Sequence, residues 1–83
     1  MANHATIGRF LNSPDWTESE KWIIKWQFRL LSDFQTALAG AIARADENNL
    51  ERLRRGFPIQ VDGFLQWNTR DLGRRLREAG LDI

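Results

Sequence analysis

Cysteine and tyrosine are absent from these 83 residues, histidine occurs once (His4), and proline occurs only as Pro14 and Pro58. Without cysteine there is neither a disulfide framework nor a thiolate metal site, a composition suited to a reducing compartment. With one histidine near the start, a Ser-His-Asp triad or a histidine-built metal centre is not expected. The six glycines are scattered singly, so there is no phosphate-cradling glycine loop and no cofactor is implied. An excess of one charge is lacking too, and a net charge of +1 gives no overall field to attract nucleic acid or a membrane surface. The most apolar window, Trp22 to Phe34, is interrupted by Lys25, Arg29 and Asp33 and cannot span a bilayer. Residues 1–6 carry neither the charged leader nor the apolar run of a secretory signal. A soluble, cytoplasmic protein is the expectation.

What remains is helix-forming sequence, in a length that makes one domain over residues 1–83. From Thr17 to Ala39 there is neither proline nor glycine. At 100° per residue, Trp22, Ile23, Ile24, Trp26, Phe28, Leu30, Leu31, Phe34 and Leu38 spread over an arc of roughly 240°. A helix apolar over that much of its circumference is surrounded by other elements. The prediction is therefore an all-α orthogonal bundle, with one long central helix over residues 17–45 wrapped by four shorter helices. Thr17-Glu18-Ser19-Glu20 matches a capping box at its start, and Gly40, amid small residues, is the expected crossing point for a neighbouring helix.

The shorter helices have their own punctuation. Ile7, Phe10 and Leu11 give one apolar side over residues 6–12. Asp46-Glu47-Asn48-Asn49 restarts the chain, with Leu50, Leu53 and Phe57 lining the next helix. Gly56 stands where a left-handed C-terminal residue belongs, and Pro58 suits the first turn that follows. Asn68 or Thr69 is the expected cap of a final helix lined by Leu72, Leu76 and Ala79. Gly80-Leu81 reads as its Schellman ending. No segment alternates with period two, so strands are excluded.

Chemistry is sparse. Asp15, Glu18, Glu20, Asp46, Glu47 and Asp71 sit at helix starts, where the helix dipole accounts for them. A bundle this small offers little depth for a water-excluding pocket, so an enzyme is not expected. Two surfaces invite a partner instead. Trp22 and Trp26 stand one turn apart beside Lys21, Lys25 and Arg29, which reads either as core edge or as an exposed aromatic and basic strip of hot-spot composition. Gln27, inside the apolar arc, reads as a buried amide satisfied within the fold or as a contact to a partner. Ten of the twelve basic residues are arginine, a bias that genomic base composition also produces. Arg52, Arg54 and Arg55 form one cluster, and Arg70, Arg74, Arg75 and Arg77 form another. With Arg70, Arg74 and Arg77 at i, i+4, i+7, that second cluster resembles a phosphate-binding stripe, although Arg74 and Glu78 are also spaced as an ordinary ion pair.

The run Ala45-Asp46-Glu47-Asn48-Asn49-Leu50-Glu51-Arg52-Leu53-Arg54-Arg55-Gly56-Phe57-Pro58, continuing to Val61 and Trp67, resembles small helical proteins encoded by bacteriophages and prophages. In them a pattern AD..NL..L..GFP..V follows a helix rich in Trp and Phe, as Trp26 to Phe34 does here. The resemblance spans roughly residues 20–67 and carries no catalytic or ligand residues. It implies a non-enzymatic phage or prophage protein acting in a bacterial host cell by binding a host protein complex, as anti-CRISPR and other anti-defence inhibitors do. Nucleic-acid binding through the C-terminal arginines, or self-association of a phage structural component through the Gly40 region, are the alternatives.

Overall fold

The computed structural model describes residues 4–83, with side chains from Thr6 onward. Residues 1–3, and with them part of the leader expectation, lie outside the described residues, as does the side chain of His4. Among the described residues there are six α-helices and no strand: α1 (His4–Asn12), α2 (Glu18–Gln27), α3 (Asp33–Arg44), α4 (Glu47–Gly56), α5 (Pro58–Asn68) and α6 (Asp71–Glu78). The all-α bundle stands. The long central helix does not, because residues 28–32 turn a corner between α2 and α3.

That corner is built from a C-terminal motif and a new N-cap. The Leu30 N–H donates to the Lys25 carbonyl at 2.8 Å and the Arg29 N–H to the Trp26 carbonyl at 3.2 Å, the paired bonds of a Schellman ending. Arg29 takes the left-handed conformation there, with φ of 58°, in the place usually held by glycine. Ser32 then caps α3, its hydroxyl accepting from the Gln35 N–H at 3.2 Å. With no glycine or proline between 28 and 32, the only forward signal is Ser32 followed three residues later by Gln35.

The helix that the others surround is α5. It packs on α2, α3, α4 and α6, most extensively on α2, while α1 leans on α2. Its sequence permits this, since Ile59, Val61, Gly63, Phe64, Leu65 and Trp67 again span about 240° and Asp62 is its one charge. The close crossing lies at Gly63 and not at Gly40. A Cβ on Gly63 would fall 2.5 Å from the Ser19 carbonyl oxygen and 3.1 Å from Ile23 Cγ1, whereas the space over Gly40 is open. Breaking the 17–45 segment lets both halves use α5: Trp22, Ile23 and Ile24 from α2 and Leu38, Ala39 and Ile42 from α3 join Val61, Leu72, Leu76 and Leu81 in one core, closed by Ile7 and Phe10.

Most other local signals hold, although Ala79, expected to line the last helix with Leu72 and Leu76, follows the end of α6 and is exposed. Thr17 and Glu20 form the reciprocal capping box, Asp46 caps α4 by accepting from Asn49 N–H at 2.8 Å, and Pro58 opens α5. Gly80, with φ of 105°, and Leu81 complete a Schellman ending on Leu76 and Arg77. Two of the helix-end expectations fail as well. Gly56 is the last residue of α4 and is not left-handed, Phe57 serving as the joint. Neither Asn68 nor Thr69 caps α6. Arg70 holds that position with φ of 67° and no side-chain cap, while the Thr69 hydroxyl donates back to the Gln66 carbonyl at 2.8 Å.

Candidate functional site

The first expected surface divides in two. Trp22 is buried at 7% exposure, and its indole N–H donates to Gln35 Oε1 at 2.9 Å. Lys21 lies along the protein surface with its side chain 16% exposed, 3.9 Å from Glu18. Both belong to the fold. Trp26 is half-buried, its ring 6.0 Å from Trp22 and 6.4 Å from Phe64. Lys25 and Arg29 are exposed and join no ion pair among the described residues. Because α2 stops at Gln27, Arg29 leaves the stripe predicted with Lys21 and Lys25 and projects from the corner instead. Gln27 is exposed, which removes the buried-amide reading: with α2 ended there, nothing packs over it.

The corner has a hollow lined by Trp26, Gln27, Arg29, Leu31, Asp33 and Thr36. Next to Asp33, Phe34 is 63% exposed, and Leu30 on the turn is 44% exposed. The outer edge of the Phe34 ring faces solvent while its inner side meets Phe57, centroid to centroid 6.4 Å. Ile59, at 45%, is the remaining large exposed hydrophobe. Phe34 and Leu30 were invisible as surface residues in the sequence because they fall inside the apolar arc of an unbroken helix. Only the Ser32–Gln35 cap signal pointed to the break that exposes them.

The second expected surface is also divided. Arg70 precedes α6 in a left-handed conformation, so Arg70, Arg74 and Arg77 do not share one helix stripe. Arg74 is held between Asp71 at 2.6 Å and Glu78 at 3.5 Å. The hydrogen bond from Arg74, with Arg75 adding to it, lowers the pKa of the exposed Asp71 carboxyl, and Asp71 in turn raises that of Arg74. Arg75 reaches across to α2, 2.9 Å from Glu20 and 3.1 Å from Asp71, with its guanidinium 6.0 Å from the Trp16 ring centroid. Trp16 stacks on Phe10 at 5.6 Å, so Trp16 and Arg75 seal one end of the bundle together. Burial pushes the Glu20 carboxyl up, but the Thr17 backbone amide, Arg75 and the Thr17 hydroxyl outweigh it and leave its pKa lowered.

Arg70 and Arg77 make no ion pair among the described residues. With Trp67, Asn68 and Gly73 they line a shallow cleft of about 340 Å³. No group of three or more metal-ligating side chains occurs among the described residues, and no helix there is long and apolar enough to cross a membrane. No family model matches the chain, and neither the curated proteins nor the solved structures provide a match.

Proposed function

We propose that this is a non-enzymatic binding protein that docks onto a host protein through the α2–α3 corner and inhibits it, as a phage- or prophage-encoded anti-defence inhibitor would. The observation that carries the reading is Phe34. A phenyl ring at 63% exposure in the first turn of α3, with Leu30 on the preceding turn also exposed, is apolar surface that gains by being covered. Aromatic side chains seated in desolvated partner pockets are among the recurrent anchors of protein interfaces. Phe34 is already restrained against Phe57, which lowers the ordering cost of inserting it into a partner pocket.

Lys25 and Arg29 specify the partner's chemistry. Being exposed and without carboxylate partners among the described residues, they match an apolar pocket edged by Asp or Glu and speed encounter with it. The phage context rests on the resemblance over residues 20–67.

The test is functional. A host with an intact defence system and expressing the wild-type protein becomes permissive to a phage that the system normally blocks. The F34D variant, equally abundant and equally folded by circular dichroism, leaves the defence intact, and K25E/R29E weakens the effect in a salt-dependent way. Light scattering on the purified protein addresses the self-association alternative: a monomeric mass keeps Phe34 available for a different protein, and a stable dimer abolished by F34D assigns the corner to a second copy of the chain.

A further inference from the structure

The cleft between the end of α5 and the start of α6 is a second site, independent of the corner. Four arginines approach this end of the molecule, and their roles differ. Arg74 and Arg75 are each held by two carboxylates, which also consumes the negative charge of Asp71 and Glu78. Arg70 and Arg77 are left without a counter-charge among the described residues, and both line the same cleft.

Trp67 lends the same cleft an aromatic wall. Gly73 is buried in the first turns of α6, and the place its Cβ would occupy is 3.3 Å from Arg77 Nη1 and 3.3 Å from Trp67 Cζ3. The missing side chain thus brings a guanidinium and an indole ring to the same floor. Asn68, exposed at the rim, adds an amide with both donor and acceptor groups.

A simple inorganic anion would use the arginines and leave the indole idle. A neutral aromatic molecule would do the reverse. The geometry points to a nucleoside monophosphate unit as the ligand: base against Trp67, phosphate between Arg70 and Arg77. Stacking on an aromatic side chain and charge-assisted bonds from arginine are the two contacts that single nucleotides and single strands present. The cleft volume lies at the lower end of the range of small-ligand pockets, room for one nucleotide. The same unit occurs free or within a single strand, and the two sources differ in length and salt dependence. The strained backbone of Arg70, at φ of 67°, holds its side chain at the cleft mouth where glycine would give a more relaxed turn and no charge.

Fluorescence titration of the full chain with adenosine monophosphate, inorganic phosphate and a hexa-adenylate RNA at about 50 mM salt tests this, with W67F identifying the responding indole. The expected result is saturable quenching by adenosine monophosphate, lost in W67F, with phosphate at least about tenfold weaker because it lacks the stacked base. R70A/R77A lowers nucleotide affinity about tenfold or more, whereas the charge-matched R44A/R52A, away from the cleft, stays within about twofold. Hexa-adenylate binding tighter than the monophosphate and falling steeply with salt assigns the site to single strands; equal affinity assigns it to free nucleotide. Absence of saturation by both nucleotide probes overturns the inference. So does inorganic phosphate binding as well as the nucleotide, or R70A/R77A behaving like R44A/R52A. None of these results depends on the defence phenotype, so the two proposals stand or fall separately.

Discussion

The indole N–H of Trp22 donates to the side-chain oxygen of Gln35 at 2.9 Å, tying the middle of α2 to the first turn of α3 across the corner that separates them. Trp22 is almost wholly buried, so this is the one place its donor is satisfied. The bond fastens together the two helices on either side of the corner from which Leu30 and Phe34 emerge. An unbroken helix would place residues 22 and 35 almost 20 Å apart along the axis, at about 1.5 Å per residue.

Replacing Gln35 with leucine strands a buried N–H and is expected to lower stability by about 1–3 kcal/mol. Pairing Q35L with W22F removes the donor as well. The double variant should then lose less than the two single losses added together, because the interaction is counted once. Urea unfolding of the four proteins measures this. Strict additivity would mean that the bond contributes nothing to holding α2 and α3 together.

At Gly63 even a methyl group meets backbone. The 2.5 Å approach of a Cβ to the Ser19 carbonyl oxygen cannot be relieved by a rotamer change, so G63A forces α2 and α5 apart. A loss of about 1–3 kcal/mol is expected from overpacking, despite alanine's better helix propensity. G40A, with open space above it, should instead gain up to about 1 kcal/mol from that propensity. Opposite signs at the two positions in thermal melts would establish Gly63 as the crossing point.

Arg29 carries a backbone conformation that glycine adopts freely. R29G is expected to stabilise the fold by about 0.5–1 kcal/mol while weakening partner binding through loss of the charge. A variant that is more stable yet less active separates the two roles of this residue. If R29G is less stable than wild type, the arginine side chain is supporting the corner and not projecting from it.

How much of this was legible beforehand divides along physical lines. Helix ends written in backbone chemistry were readable: the Thr17–Glu20 box, the Asp46 cap, Pro58 and the Gly80–Leu81 ending each use a residue chosen for that role. The corner was not, because Arg29 occupies the glycine position of a Schellman ending and residues 28–32 contain no breaker. Periodicity could not identify the central helix either, since the arc over 17–39 and the arc over 58–68 are equally wide. The length of an uninterrupted segment does not make it central, and Gly63 with the near absence of charge in α5 carries the better signal. At the candidate surfaces, spacing grouped the arginines, but only the carboxylates brought by folding could separate Arg74 and Arg75 from Arg70 and Arg77.

Acid should expose the link between α2 and α6. The Glu20 carboxyl titrates below its ordinary value near 4.5, so the folded state binds its proton less readily than the unfolded chain does. Its contribution is therefore fully present above that ordinary value and is lost as pH falls through the lower folded-state value. Asp71, lowered by Arg74, acts in the same direction. Melting temperature should fall as pH drops below about 4.5, and E20Q should be less stable at neutral pH with a shallower acid limb. An E20Q acid limb as steep as the wild-type one would remove Glu20 from this role.

In the function proposed above, the α2–α3 corner engages a host defence protein through Phe34. Plating efficiency of a defence-sensitive phage on a defence-proficient host, with wild-type or F34D protein expressed to equal levels, measures it directly. The account predicts plaque formation restored by the wild-type protein and lost with F34D, while the R70A/R77A variant still restores it. Equal restoration by F34D, or no restoration by the wild-type protein against the defence systems its host carries, would contradict it.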